Sequence, residues 1–130
     1  MKKLATSLIA ALLLHCGAPS ASELQASDAE YALSRGMVSL GEARFRLAEQ
    51  GAKGCWRYEY KAKPSMLARM FIGDVSERSD FCIDKGVVRS QQFEFKRTDK
   101  SEDNFTLNFN WKDRVVRSSV GEMRALDEGM

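Results

Sequence analysis

Two cysteines, at positions 55 and 82, constrain the fold of this chain most strongly, because each lies in a segment whose side chains alternate with a period of two. Antiparallel pairing with Cys55 opposite Cys82 brings two opposite-charge pairs onto the same face. These pairs are Arg57 with Asp80 and Glu59 with Arg78. A shift of one residue would turn the apolar side chains of both segments to the wrong face. The pattern predicts two paired strands in this register, joined by a Cys55–Cys82 disulfide.

The other face of this predicted pair is aromatic. It sets Trp56 opposite Phe81, Tyr58 opposite Ser79, Tyr60 opposite Glu77 and Ala62 opposite Val75. Short connections let the same phase continue, so that odd-numbered residues keep one face from residue 75 to residue 111. A twisted antiparallel meander curls around such a face. We therefore expect a mainly β fold, an antiparallel meander of about seven strands curled into a half-barrel or open barrel, with one short helix.

That helix is predicted over residues 65–72, where Ser65 can cap its start and Gly73 can end it. Four apolar residues repeat at a spacing of four: Met66 with Met70, and Leu67 with Phe71. We interpret this apolar side as a lid packed over one end of the sheet. The alternative is a mobile gate or an element that touches a membrane, because methionine adapts to varied partners.

A glycine at position 41 interrupts the strand predicted over residues 38–47. The apolar positions are even-numbered before it and odd-numbered after it: Val38, Leu40, Ala43, Phe45 and Leu47. Such a change of phase at a glycine predicts a β-bulge or a sharp bend. At the other end of the chain, residues 114–120 are the last predicted strand and an expected exposed edge, and residues 121–130 are predicted to be a frayed tail.

The first 22 residues have the pattern of a secretory signal peptide. A basic start precedes an apolar run over residues 4–14 and then a group of small residues. The run is too short to span a bilayer. We place cleavage after Ser22, with Ala21 as the alternative. Export to the periplasm is the expectation.

Cys16 within this signal raises the alternative of a lipoprotein. A lipidated cysteine normally follows a small residue, whereas His15 precedes this one. Lipidation is therefore the less favoured alternative. Separately, we expect residues 23–130 to form a single β domain.

Removal of residues 1–22 from the 130-residue chain leaves 108 residues, enough for one domain. The signal contains two lysines and no acid, so 18 basic residues face 18 acidic ones in the remainder. This balance argues against nucleic acid as a partner. The one histidine lies in the signal, which removes Ser-His-Asp and Cys-His catalysis. We find no cofactor motif, metal-ligand spacing or second apolar run, and expect a protein that is not an enzyme and has no cofactor, metal or transmembrane segment.

The aromatic side of the predicted sheet also carries polar residues, notably Glu77 and Arg89. Because a buried charge is costly unless it is paired, these two residues either lie at the rim in water or line a wet cavity. An apolar surface with a few polar groups suits an oriented amphiphile. The predicted ligand-binding residues are Tyr58, Tyr60, Glu77, Arg89, Phe93, Phe109 and Trp111.

The order of several segments resembles a known family, domain of unknown function 3108. The segments are SRGMVSLGEARF, CWRYEYKAKPSMLARMFIGDVSERSDF, DKGVVRSQQFEFKR and NFTLNFNWKDRVV. The resemblance spans about residues 31–116 and implies a β-rich envelope or periplasmic domain of Gram-negative bacteria without an established activity, so it transfers no catalytic residue. Members commonly have proline where this chain has Ser90, and they usually continue beyond its last residue.

Two functions remain open from the sequence. The first is binding of an apolar or amphipathic ligand, such as a lipid, or of an envelope component, on the concave aromatic face. The alternative is a structural or protein-interaction module that pairs with an envelope protein or weakly with itself through an exposed sheet edge.

Overall fold

A computed structural model describes residues 24–121 and 123–126. The predicted signal peptide over residues 1–22, with its cleavage site and Cys16, lies outside the described residues, as do residues 127–130 of the predicted tail. The described residues form one antiparallel sheet with almost no helix, and the sheet is not closed. The predicted fold class, a mainly β meander that is curled and open, is confirmed.

The strands follow one another across the sheet in the order of the sequence, so each is bonded to its neighbours along the chain. They are β1 (Ser27–Arg35), β2 (Val38–Glu49), β3 (Cys55–Pro64), β4 (Val75–Asp84), β5 (Val87–Arg97), β6 (Phe105–Asn110), β7 (Val115–Ser118) and β8 (Met123–Ala125). Within the described residues, β1 and β8 form the two edges.

The central pair, β3 and β4, has the predicted register, from Cys55 opposite Cys82 to Ala62 opposite Val75. The two sulfur atoms are 2.09 Å apart, which confirms the predicted disulfide. The side of the sheet that carries the disulfide also carries Arg57, Glu59, Arg78 and Asp80, and we call it the charged face. The opposite side, which carries Trp56 and its neighbours, is the aromatic face.

The predicted bulge at Gly41 is present. The β1–β2 register shifts where Leu33 pairs with Gly41 and the next pair is Ser34 with Ser39. Gly41 has a φ of +140°, and a Cβ there would collide with the carbonyl oxygen of Lys63. Only glycine fits this position, because the backbone of β3 comes too close for any side chain.

A second bulge was not foreseen from the sequence. The β4–β5 register shifts between Asp80 and Phe81, where β5 contains one extra residue, Gln91. A bulge of this kind changes the phase of the strand. The prediction that odd-numbered residues keep one face from residue 75 to residue 111 is therefore wrong at the start of β5, where Arg89 lies opposite Cys82, at a position of the charged face.

The predicted helix over residues 65–72 is wrong, because the loop between β3 and β4 contains only a single 3-10 turn, Ala68–Met70. The predicted lid is wrong as well. The side chains of Met70 and Phe71 are 77% and 83% exposed, so they cover nothing in the described part of the molecule.

The two ends of this loop explain why a longer helix does not form. At its start, the backbone N–H of Ser65 donates to the carbonyl of Leu40 at 2.8 Å. At its end, Gly73 packs so closely against Thr98 and Asp99 that a Cβ would lie within 2.5–2.7 Å of their atoms. The loop is fixed at both ends to neighbouring segments, and these tertiary contacts override the local helical preference.

The strand β8 lies in the segment that was predicted to be frayed. The prediction is wrong for residues 123–126, which pair with β7 or, in the case of Leu126, are only 5% exposed. The expected edge over residues 114–120 is likewise wrong, since β8 covers it. Unpaired backbone groups of β7 require partners, and the N–H of Leu126 extends this pairing by donating to the carbonyl of Arg114 at 2.9 Å.

Candidate functional site

The aromatic face gathers rings from six strands, because the register aligns their alternating positions. The rings are those of Tyr31, Phe45, Trp56, Tyr58, Tyr60, Phe81, Phe93, Phe95, Phe105 and Phe109. Among the predicted ligand-binding residues, Tyr58, Tyr60, Glu77 and Phe93 lie close together in the register, on three adjacent strands.

Apart from the contact of Phe109 with Trp111, the ring contacts of this face form two clusters. The first is centred on Phe45, whose ring centre is 4.9 Å from Tyr60, 5.6 Å from Tyr31 and 6.5 Å from Tyr58. The second is centred on Phe105, whose ring centre is 5.8 Å from that of Phe93 and 5.7 Å from that of Phe95.

The first cluster belongs to β1–β3 and the second to β5–β6, and among the described residues no ring contact crosses β4 between them. The rings on either side of β4 therefore contact partners that lie away from it.

The rings are ordered by the sheet but they are not enclosed. Within the described part of the chain no large side chain is fully buried, and the buried side chains are those of Ala43, Pro64 and Leu126. Tyr31 is 54% exposed, and most other rings of this face are half-buried. A core would bury such rings almost completely, so the described sheet is a single layer whose aromatic face is reachable.

Glu77 lies on β4 within this face, opposite Tyr60 on one side and Phe95 on the other. It is central across the sheet and half-buried. The field of its carboxylate reaches Tyr58. Burial raises the pKa of the Tyr58 hydroxyl, and the negative charge of Glu77 raises it further.

The second bulge places Arg89 at a position of the charged face, whereas Glu77 lies on the aromatic face. The two predicted site residues therefore do not lie together. The Arg89 guanidinium instead lies 5.9 Å from the ring centre of Trp111 and 3.8 Å from the carboxylate of Asp84. Trp111 stacks on Phe109, with ring centres 6.5 Å apart, and its Nε1–H donates to the carbonyl of Ser90 at 2.6 Å. Arg89, Phe109 and Trp111 thus form a second group at the opposite end of the sheet from the β3–β4 loop.

An open cleft of about 540 Å³ lies on the aromatic face beside the second cluster. Its lining residues are Phe105, Leu107, Val116, Ser118, Val120 and Arg124. The lining is mainly apolar with one arginine, which is the composition expected of a surface that binds an amphiphile.

The described residues contain no group of three or more histidine, cysteine or acidic side chains placed to hold a metal ion. In the same part of the chain no helix is both long enough and apolar enough to cross a membrane.

Sequence reasoning left Tyr31, Phe45 and Phe95 out of the site, although two of them border its central residues. The signal was present in the β2–β3 pairing, because the alternation of both strands sets Phe45 opposite Tyr60. Extending the predicted register by one strand on each side would have found Phe45 and Phe95, whereas Tyr31 lies one strand further out, on β1.

Comparisons with protein-family models, with curated proteins and with solved structures found no match to this chain. The resemblance to domain of unknown function 3108 therefore stays a prediction.

Proposed function

We propose that this chain is an exported, non-catalytic protein of the cell envelope that binds an apolar or amphipathic ligand on its aromatic face. The observation that carries the proposal is the solvent accessibility of this face. Two clusters of rings are held in place on an ordered sheet and remain half-exposed. Monomeric proteins rarely leave large contiguous apolar patches exposed unless the patch binds something.

The contrast between the two faces favours a ligand over a simple folding role. The charged face is closed by ion pairs such as Arg57 with Asp80 at 2.6 Å and Lys96 with Glu94 at 3.0 Å. Among the described residues, the ion pairs at the aromatic face are those of Arg97 with Asp99 and Asp103, and Arg97 lies at the end of its strand. The signal-peptide pattern and the family resemblance support the proposed location in the periplasm.

The test uses a neutral hydrophobic fluorophore such as Nile red and the chain from residue 23 onward. We expect the folded protein to bind the dye, and Phe93→Asp to weaken binding by about tenfold or more, since one buried charge costs several times RT. Trp111→Asp applies the same test to the group formed by Arg89, Phe109 and Trp111. Val87→Asp is the matched control, because Val87 is 50% exposed and lies opposite Asp84 on the charged face of the same strand.

Circular dichroism of each variant shows whether it still folds. The proposal fails if the folded wild-type protein binds no dye and both tryptophans of this region, Trp56 and Trp111, are shielded from a neutral quencher.

A second candidate function, pairing through a sheet edge, is favoured by β1. This edge strand is nine residues long, and all of its side chains except Ala29 are exposed. A long exposed edge offers unpaired backbone groups to another chain. We expect weak self-association in sedimentation experiments that decreases in a Leu33→Lys variant, whereas a strict monomer at high concentration would contradict this function.

A further inference from the structure

The strip of β4 between the two aromatic clusters has a composition of its own. Along the aromatic face β4 presents Val75, Glu77, Ser79 and Phe81 in turn. On β3, Tyr60 and Tyr58 stand opposite Glu77 and Ser79, and on β5, Phe95 and Phe93 do the same. Glu77 and Ser79 of β4 therefore lie between two lines of rings.

Among the described residues, no ring contact crosses this strip. Tyr58 and Tyr60 contact Phe45 on the far side of β3, while Phe93 and Phe95 contact Phe105 on the far side of β5. Glu77 therefore lies on the strand between two aromatic clusters, and we call the strip of β4 that carries Glu77 and Ser79 the trough.

Within the described residues no ion pair joins Glu77 to a lysine or an arginine. The basic residue in the adjacent row of the aromatic face is Arg97, which lies opposite Val75. Its guanidinium is engaged by Asp99 at 2.8 Å and by Asp103 at 3.7 Å. Among the described residues the negative charge at Glu77 therefore has no ion-pair partner, which leaves it open to the cation of a ligand.

We propose that this trough binds an amphiphile with a cationic ammonium head, with Glu77 as the counter-ion and the flanking rings as cation–π partners. The inference rests on the proposed function and names the ligand class of that site. A carboxylate between aromatic rings attracts an ammonium twice, through its charge and through the negative ring faces. An anionic head would instead meet the repulsion of Glu77 while losing its own hydration.

The apolar part of such a ligand has a surface to follow. Phe93 stands opposite Leu107, and the open cleft begins at Phe105 and Leu107. A chain leaving the trough across β5 therefore passes over rings and aliphatic side chains before it reaches the edge of the sheet.

The test is displacement of Nile red by three single-chain competitors of equal length: dodecyltrimethylammonium, dodecyl sulfate and 1-dodecanol. The two ionic compounds are kept below their micelle-forming concentrations and the alcohol below its solubility limit. We expect the ammonium compound to compete at least tenfold better than the sulfate. Glu77→Gln should reduce this preference about tenfold and leave competition by the alcohol unchanged.

Three further variants separate the charge at the trough from charge elsewhere and from the ring beside it. Glu59→Gln is the matched control, because Glu59 immediately precedes Tyr60 on β3 and lies on the charged face, opposite Arg78. It should keep the wild-type preference. Tyr60→Phe should keep the preference and Tyr60→Leu should lower it, since only the second removes the ring.

The results distinguish the two proposals. If Nile red binds and the alcohol displaces it, but the ammonium compound competes no better than the sulfate, or Glu77→Gln changes nothing, the cationic ligand class is overturned and the proposed function stands. If the folded protein binds neither dye nor any competitor, both are overturned.

Discussion

At the scale of single residues, the pair of Arg57 and Asp80 makes folding sensitive to acid. The hydrogen-bonded Arg57 guanidinium lowers the pKa of the Asp80 carboxyl below its ordinary value. The unfolded state therefore binds more protons in the acid range, so the pair stabilises the fold above about pH 4 and the effect is lost as the pH falls through the folded pKa. We expect Asp80→Asn to lower the free energy of unfolding by about 1–2 kcal/mol at pH 7, and by less towards pH 3, as measured by urea denaturation.

The control for this prediction is an ion pair of the same chemistry on the surface. Asp28 accepts hydrogen bonds from Arg44, but both side chains are more exposed, at 43% and 55% against 21% and 29% for Asp80 and Arg57. Solvent screens such a pair strongly. Asp28→Asn should cost less than Asp80→Asn at pH 7, and equal losses would contradict the importance of partial burial.

At the scale of elements, the β3–β4 loop should tolerate change at its apolar side chains and resist change at its base. Met70→Ser and Phe71→Ser remove exposed groups and should each alter the free energy of unfolding by less than about 0.5 kcal/mol. Gly73→Ala places a Cβ 2.6 Å from the backbone nitrogen of Asp99 and should cost more than about 1 kcal/mol. Thermal denaturation of the three variants checks the order of their stability losses. A large loss of stability in Phe71→Ser would support the predicted lid.

The β3–β4 pair supplies a second prediction at this scale. Its disulfide closes a segment with a sequence separation of 27. In the chain-entropy account, such a link contributes about 3–4 kcal/mol by restricting the unfolded chain. The double variant Cys55→Ser with Cys82→Ser should lose stability of this order in urea, and reduction of the wild-type protein should give the same loss. Free thiols in the unreduced, unfolded protein would contradict the pairing.

At the scale of the whole molecule, a single layer buries less surface on folding than a two-layer domain of similar length. The slope of unfolding free energy against urea concentration follows the surface that unfolding exposes. We therefore expect a slope near the lower end of the usual range, about 1 kcal/mol per molar urea. A slope twice as large that also depends on protein concentration would mean that the aromatic face is covered by a second copy.

The sequence predicted the parts of this fold that follow from alternation within a strand. The register of Cys55 with Cys82 and the bulge at Gly41 are confirmed, because a wrong phase there would misplace a whole row of side chains. The second bulge was not predictable, because the sequence has no glycine and no change of pattern at that place. The bulge puts Arg89 on the charged face instead of the aromatic face. The prediction of a helix in the loop over residues 65–74 was wrong because helical spacing is a local pattern. The conformation of the loop is set by its contacts with Leu40 and Asp99.

The candidate site followed the same rule. Tyr58, Tyr60 and Glu77 were placed correctly relative to one another by the predicted β3–β4 pairing, and Phe93 by the odd-numbered phase, which holds at that position. The open strip along β4 was not predictable, since it depends on which neighbour each ring contacts, and alternation gives the face of a side chain but not the direction in which it leans.

The order of the strands has a consequence for how the fold is reached. Every strand from β1 to β8 bonds only to strands that are adjacent along the chain, so no segment has to wait for a partner from a distant part of the polypeptide. Loop closure is short at each step, which favours rapid formation. A polypeptide that emerges gradually from its N-terminus can add one hairpin at a time, and each new strand pairs with a strand that has already formed.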